Sequence, residues 1–341
     1  MTAPRPTTAD ATSAARVHAP HRLVSTVLGL GVPALVLVAT ALVARSWYPD
    51  LPDPVASHFG THGPDEFTSA ASFVVQGLAF GAAFAVGGWA IAVRLGRAST
   101  VRRMGTGLAA GGATLTSAAT LGALWAQRGL DDAAQVVVGS SITLLPIVVG
   151  AVVGALAAAL TPGDAAMPAT TAVPADAPHL ALGHQERATW VRQVTSRPLL
   201  VAIVAMTAIA LVTTSAAPTA APAVAPFLLA LALVVAHVRF TVTVDRRGLR
   251  VRSVLGLPRA TVPADEVLHA EVVQVAPLRQ FGGWGYRVGA GGTAGIVLRK
   301  GEALRVERTG GRSFVVTVDD AATGAALLNT LAGRERSATG S

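Results

Sequence analysis

The chain of 341 residues is 52% hydrophobic and only 13% charged, with a mean hydropathy of +0.54, too apolar for an ordinary water-soluble protein of this length. Its net charge of +8 rests on arginine, with Lys300 the single lysine, and the absence of cysteine excludes disulfides, thiolate metal sites and cysteine nucleophiles. Arginine collects at the ends of apolar runs and is otherwise spread through the C-terminal part, so the basic balance reads as membrane orientation and not as nucleic-acid binding.

Residues 1–21, rich in Ala, Thr and Pro, predict a disordered cytoplasmic tail. A first apolar run from about Arg22 to Trp47 is too long for a typical signal-peptide core and predicts an uncleaved span. Further runs at about Phe73–Leu95, Met104–Ala126 and Val136–Leu160 complete a four-span module over 22–160. Two more, Leu199–Ala216 and Pro222–Val238, predict a two-span hairpin over 198–239, with full crossing favoured over a part-way dip. The expected architecture is an α-helical polytopic membrane bundle of about six spans.

Orientation follows from charge. Of the thirteen arginines before residue 240, only Arg45 and Arg128 fall on the side that carries Asp50, Asp53, Asp65, Glu66, Asp131 and Asp132. Both termini are therefore expected on the cytoplasmic side, with Trp47 and Trp125 at the outer interface. The central parts of the spans carry no Asp, Glu, Lys or Arg, which argues against ion-coupled transport. The pairs Gly77/Gly81, Gly107/Gly111 and Gly150/Gly154 predict close helix packing, with a homodimer seam as the alternative.

The outer loop, 46–71, is the most distinctive segment. His58 and His62, followed by Asp65 and Glu66, are ligand-binding candidates and could offer nitrogen and oxygen donors to a divalent ion. The structural alternative is a folded loop in which His58 bonds backbone and Asp65 caps a turn or the second span.

Residues 161–197 read as a cytoplasmic linker. His184–Arg197 predicts a short surface helix with Trp190 and Val191 toward lipid and Arg187 and Arg192 toward phosphates, or else a simple helix extension. From Phe240 the apolar period shortens to two. Phe240–Val244 and Leu249–Val254 flank a turn at Asp245–Gly248, about five strand-like runs follow, and Asp319 opens a helix through about Leu331. This predicts an all-β domain of about seven strands with a capping helix over 240–334, before a tail at 335–341. Within it, Trp284, Tyr286 and Arg287 are candidates to hold a ligand, the rings by stacking; a packing role for the rings is the alternative. Gly289–Gly292 lacks the Lys and helix of a phosphate loop and reads as a hairpin tip.

Leu51-Pro-Asp-x-Val, His58-Phe-Gly and Gly63-Pro-Asp65 resemble the signature of a bacterial membrane-domain family of unknown function. That domain also forms the N-terminal part of SdpI-like immunity proteins, which protect against a secreted killing peptide and relay a signal to a repressor. The match covers roughly residues 25–90, with Ala56 where the pattern has proline and Gly60 where it has asparagine. The C-terminal part is similar to bacterial pleckstrin-homology-like domains, including the segments Gly282–Arg287, Gly301–Leu304 and Gly311–Phe314.

No paired His-Glu zinc motif, nucleophile elbow or cofactor motif occurs, so no enzyme and no cofactor are expected. The expectation is a sensing, signalling or immunity-like membrane protein. Its partners would be membrane lipids and a cytoplasmic protein met by the C-terminal domain. An accessory role in transport or export is the alternative.

Overall fold

A computed structural model describes residues 19–60, 63–137, 140–183, 186–216 and 224–339. Four long helices make up the first half: α1 (Arg22–Asp50), α2 (Ala70–Leu95), α3 (Ser99–Trp125) and α4 (Ser140–Leu160). Between α1 and α2 the chain forms an antiparallel hairpin of β1 (Val55–Gly60) and β2 (Gly63–Thr68). Helix α3 sits in the middle, packed against α1, α2 and α4. Its centre is rich in Gly, Ala and Thr because backbones approach closely there. A Cβ on Gly154 would lie 2.8 Å from the Gly107 carbonyl oxygen, and one on Gly111 would lie 2.8 Å from that of Gly150. The two glycine pairs therefore form one packing face within the chain, between α3 and α4.

The expectation of six spans is corrected. Among the described residues, two helices are long and apolar enough to cross a membrane, α1 and α2. Helix α3 has the length, but its run of Gly, Ser and Thr and its pair Arg102–Arg103 lower its hydropathy. Among the described residues, the apolar stretches found in α4 and in α5 (Arg197–Ala216) run over Leu144–Leu160 and Arg197–Val212, and neither counts as a span. Helix α6 (Val224–Val238) has 15 residues. Full crossing by α5 and α6 is thus not supported, and the turn expected between them lies outside the described residues. Only 22% and 28% of the apolar windows of α1 and α2 are buried, unlike the core helices of a water-soluble fold.

The C-terminal half is a two-sheet β-domain. One sheet has the order β3-β4-β5-β6, formed by Trp190–Thr195, Arg239–Asp245, Gly248–Ser253 and Arg259–Pro263, all antiparallel. The second has the order β7-β10-β11-β9-β8: Val267–Val275, Gly301–Arg308, Arg312–Thr317, Ala294–Val297 and Gly285–Val288, with β9 parallel to β11. These two sheets contain nine strands, two more than alternation predicts. The short helix α7 (Pro277–Phe281) packs its Phe281 beside Val297 and Val315 on the outer face of the second sheet.

Inward residues alternate as period two requires: Phe240, Val242 and Val244 on β4, Leu249 and Val251 on β5, Leu304 and Val306 on β10. Helix α8 (Ala321–Thr339) adds Ala325, Leu327, Leu328 and Leu331 to the same core.

The helix expected over His184–Arg197 is instead partly strand β3, while His184 itself lies outside the described residues. Trp-Val-Arg-Gln-Val-Thr alternates and pairs register for register with β4, Trp190 opposite Val244 and Thr195 opposite Arg239. Trp190 is 5% exposed and lies against Gly324 of α8, where a Cβ would come within 3.1 Å of its ring; it does not face lipid. Strand β3 leads through Ser196 directly into α5, and α6 leads directly into β4, so this helix pair projects from two neighbouring strands.

Candidate functional site

The helical unit has two ends, and each carries an organised polar site. At the first, the β1–β2 hairpin packs on the segment that follows α3, Ala56 and Phe59 clustering with Ala126, Leu130, Ala133 and Val136. Register shifts on either side of His58 let it face both Asp65 and Glu66 across the strand pair. The His58 Nδ1 and Asp65 Oδ1 are 2.6 Å apart, with both side chains more than half exposed. Gly60 makes room for the carboxylate, since a Cβ there would lie 2.5 Å from Asp65 Oδ2. The bond from Asp65, its charge and that of Glu66 raise the His58 pKa above its ordinary value. Of the four loop candidates, the structure joins His58 to Asp65, leaves Glu66 exposed opposite His58, and does not describe His62. The backbone bond expected of His58 is replaced by this carboxylate partner. Among the described residues no three metal-ligating side chains converge.

The root of the hairpin is fixed from α3. Gln127, fully buried two residues beyond the end of α3, accepts the Ala56 N–H at 2.6 Å and donates to the Ala56 carbonyl at 3.2 Å. Proline at position 56, as in the resembling family, has no N–H to give. Around this root, Arg128 is paired with Asp50 at 2.6 Å and lies 5.1 Å from each of the Trp47 and Trp125 ring centres.

At the second end, α3 begins against the β-domain. Ala98 precedes its first turn and offers no side-chain cap. Asp164, from the strand-free segment after α4, caps it instead. Its Oδ1 accepts the Ser99 N–H at 2.8 Å, and its Oδ2 meets the Ser99 hydroxyl at 3.0 Å. Arg102 is fully buried one turn on. It donates to the carbonyls of Gly96, Arg97, Pro162 and Gly163 and to Asp164 Oδ1 at 3.0 Å.

The charges then alternate into the β-domain. Arg312 of β11 lies 3.3 Å from Asp164 and 3.2 Å from Glu266, which also binds Arg308 of β10. Burial alone would raise the Asp164 pKa, but the Ser99 N–H, Arg102 and Arg312 outweigh it and hold the carboxyl below its usual range. Residues 161–182, expected to be a linker, are therefore a strap. Ala169 N–H reaches the Asp265 carbonyl, and Asn329 of α8 binds both backbone groups of Ala270 and the carbonyl of Pro178.

The inner-domain candidates divide. Tyr286 packs on the domain core and hydrogen-bonds Thr100 of α3; burial raises its pKa despite that bond. Trp284 lines a cleft beside α5, and Arg287 is exposed, its Nε donating to the Trp284 carbonyl at 2.8 Å. The two rings thus serve different places and do not form one stacking site. Sequence reasoning missed Gln127, Asp164, Glu266 and Arg312 altogether. Arg102 was legible only as a topology signal, because its counter-charge, Asp164, lies 62 residues away. No family model, curated protein or solved structure matches the chain.

Proposed function

We propose that the protein is a non-enzymatic membrane protein that couples its β1–β2 hairpin, at one end of the helical unit, to its β-domain at the other. The observation that carries this reading is the double grip on α3. Gln127 at one end binds the hairpin root, and Ser99 with Arg102 at the other bind the strap and, through Asp164, Arg312. One helix of 27 residues, about 40 Å at 1.5 Å per residue, spans the distance between the two sites.

The membrane setting is supported by the apolar length of α1 and α2 and by bare side chains such as Leu35, 73% exposed, and Phe80, 65% exposed. Arg94, Arg97, Arg102 and Arg103 gather at the β-domain end, which the positive-inside tendency assigns to the cytoplasm. The motif resemblance of residues 51–65 to the immunity-protein module agrees with a sensing hairpin, and the exposed His58–Asp65 pair is its recognition element.

Hydrogen exchange of the full chain in lipid nanodiscs tests the coupling. Gln127→Ala should speed exchange in the hairpin and also in residues 161–170 at the opposite end. Faster exchange confined to the hairpin would sink the coupling reading.

A further inference from the structure

A cleft of about 790 Å³ opens where the β-domain meets α5. Its floor is the end of β3 and the first turn of α5. Trp284 from the loop before β8 and Arg299 and Lys300 from the β9–β10 turn form its opposite wall. Gly285, next to Trp284, lies against His237 at the foot of α6, which fixes this wall beside the helix pair. Three cations face the cleft, Arg197, Arg299 and Lys300, against one carboxylate, Asp319, which is paired with Arg299. Arg197 and Lys300 are exposed and have no carboxylate partner among the described residues.

Beyond the cationic rim the surface changes character at once. Leu200 forms part of the cleft, and Val201 and Val204, each 69% exposed, continue an apolar face up α5. A site with cations and an indole at its mouth and a bare aliphatic wall above fits an amphiphile with an anionic head. We infer that this cleft binds the phosphate of an anionic phospholipid whose acyl chains lie along α5. The inference rests on the membrane reading above and adds to it a defined ligand class and place. Because β3 runs into α5 and α6 runs into β4 without a linker, the bound headgroup would fix the height of the β-domain against the bilayer.

The test uses full-length protein in nanodiscs of phosphatidylglycerol and phosphatidylcholine, extracted and examined by native mass spectrometry for retained lipid. The wild type should retain phosphatidylglycerol in preference to phosphatidylcholine. Arg197→Ala with Lys300→Ala should weaken that retention about 25-fold, from roughly a five-fold loss per cation.

Arg246→Ala with Arg247→Ala removes the same charge at the far end of β4, about 20 Å away by strand rise, and should leave retention unchanged. Equal retention by the Arg197/Lys300 variant, in protein that resists carbonate extraction, would overturn this inference alone. Extraction of the wild-type chain by carbonate would overturn the membrane reading with it. Displacement of the lipid by millimolar glycerol phosphate would assign the site to a soluble phosphate and overturn the lipid as its source.

Discussion

Gln127 binds both backbone groups of Ala56 across 71 residues of sequence, with both residues fully buried. A side chain thereby does what a neighbouring strand does elsewhere, satisfying a backbone N–H and a carbonyl. Gln127→Ala should strand both groups and lower stability by about 2–3 kcal/mol, read as a fall in the thermal midpoint of the detergent-solubilised chain. Ala56→Pro removes the N–H alone and should cost less. Equal midpoints for wild type and Gln127→Ala would remove this contact from the hairpin's support.

Asp164 separates two arginines that would otherwise face each other in a buried place. Asp164→Ala should cost about 3–5 kcal/mol, because it strips the cap from α3 and leaves Arg102 buried without its counter-charge. Asp164→Asn retains polar capacity and should cost less. The carboxyl pKa is depressed in the folded chain, so its contribution is present above the ordinary carboxylate value and is lost as pH falls through the lower folded value. Acid unfolding followed by tryptophan fluorescence should therefore begin at a higher pH, with a smaller acid-linked loss, in Asp164→Asn.

The His58–Asp65 contact has the opposite pH sense. The His58 pKa is raised, so the charged pair is complete below the ordinary histidine value near 6.5 and fades as pH rises through the raised folded value. Imidazole NMR shifts of His58 should titrate above pH 6.5 in the wild type and move back toward that value in Asp65→Asn. An unmoved titration would show that Asp65 is not the partner in solution.

The α3–α4 seam has no space for a side chain. Gly154→Val would put a Cβ 2.8 Å from the Gly107 carbonyl oxygen and 3.2 Å from the Gly111 Cα. The backbones must separate, at a cost of about 1–3 kcal/mol or more. Gly163→Ala, whose nearest neighbour is an Arg103 nitrogen at 3.8 Å, should be tolerated. Thermal midpoints of the two variants check the contrast, and similar values would place the seam elsewhere.

Local pattern determined much of this protein. Alternation over 240–253 made β4, the turn and β5 legible, and Ala322, Ala325 and Leu328 marked α8, because period is a property of neighbouring residues; Asp319, expected to cap that helix, pairs with Arg299 instead, and Asp320 bonds the Thr323 hydroxyl. The apolar length of α1 and α2 was equally plain, but apolar runs also suggested crossings at α3 to α6 that the described residues do not support.

Only the tertiary structure decided the rest. Trp190–Thr195 became a strand because β4, far along the chain, offered a free edge, Trp190 pairing with Val244 and Thr195 with Arg239. The His58–Asp65 bond required a hairpin with shifted register, and Arg102, Asp164, Arg312 and Glu266 required four distant segments to meet in one low-dielectric place. Charges so far apart in sequence attract only once packing has brought them within a few ångströms and excluded the water that screens them.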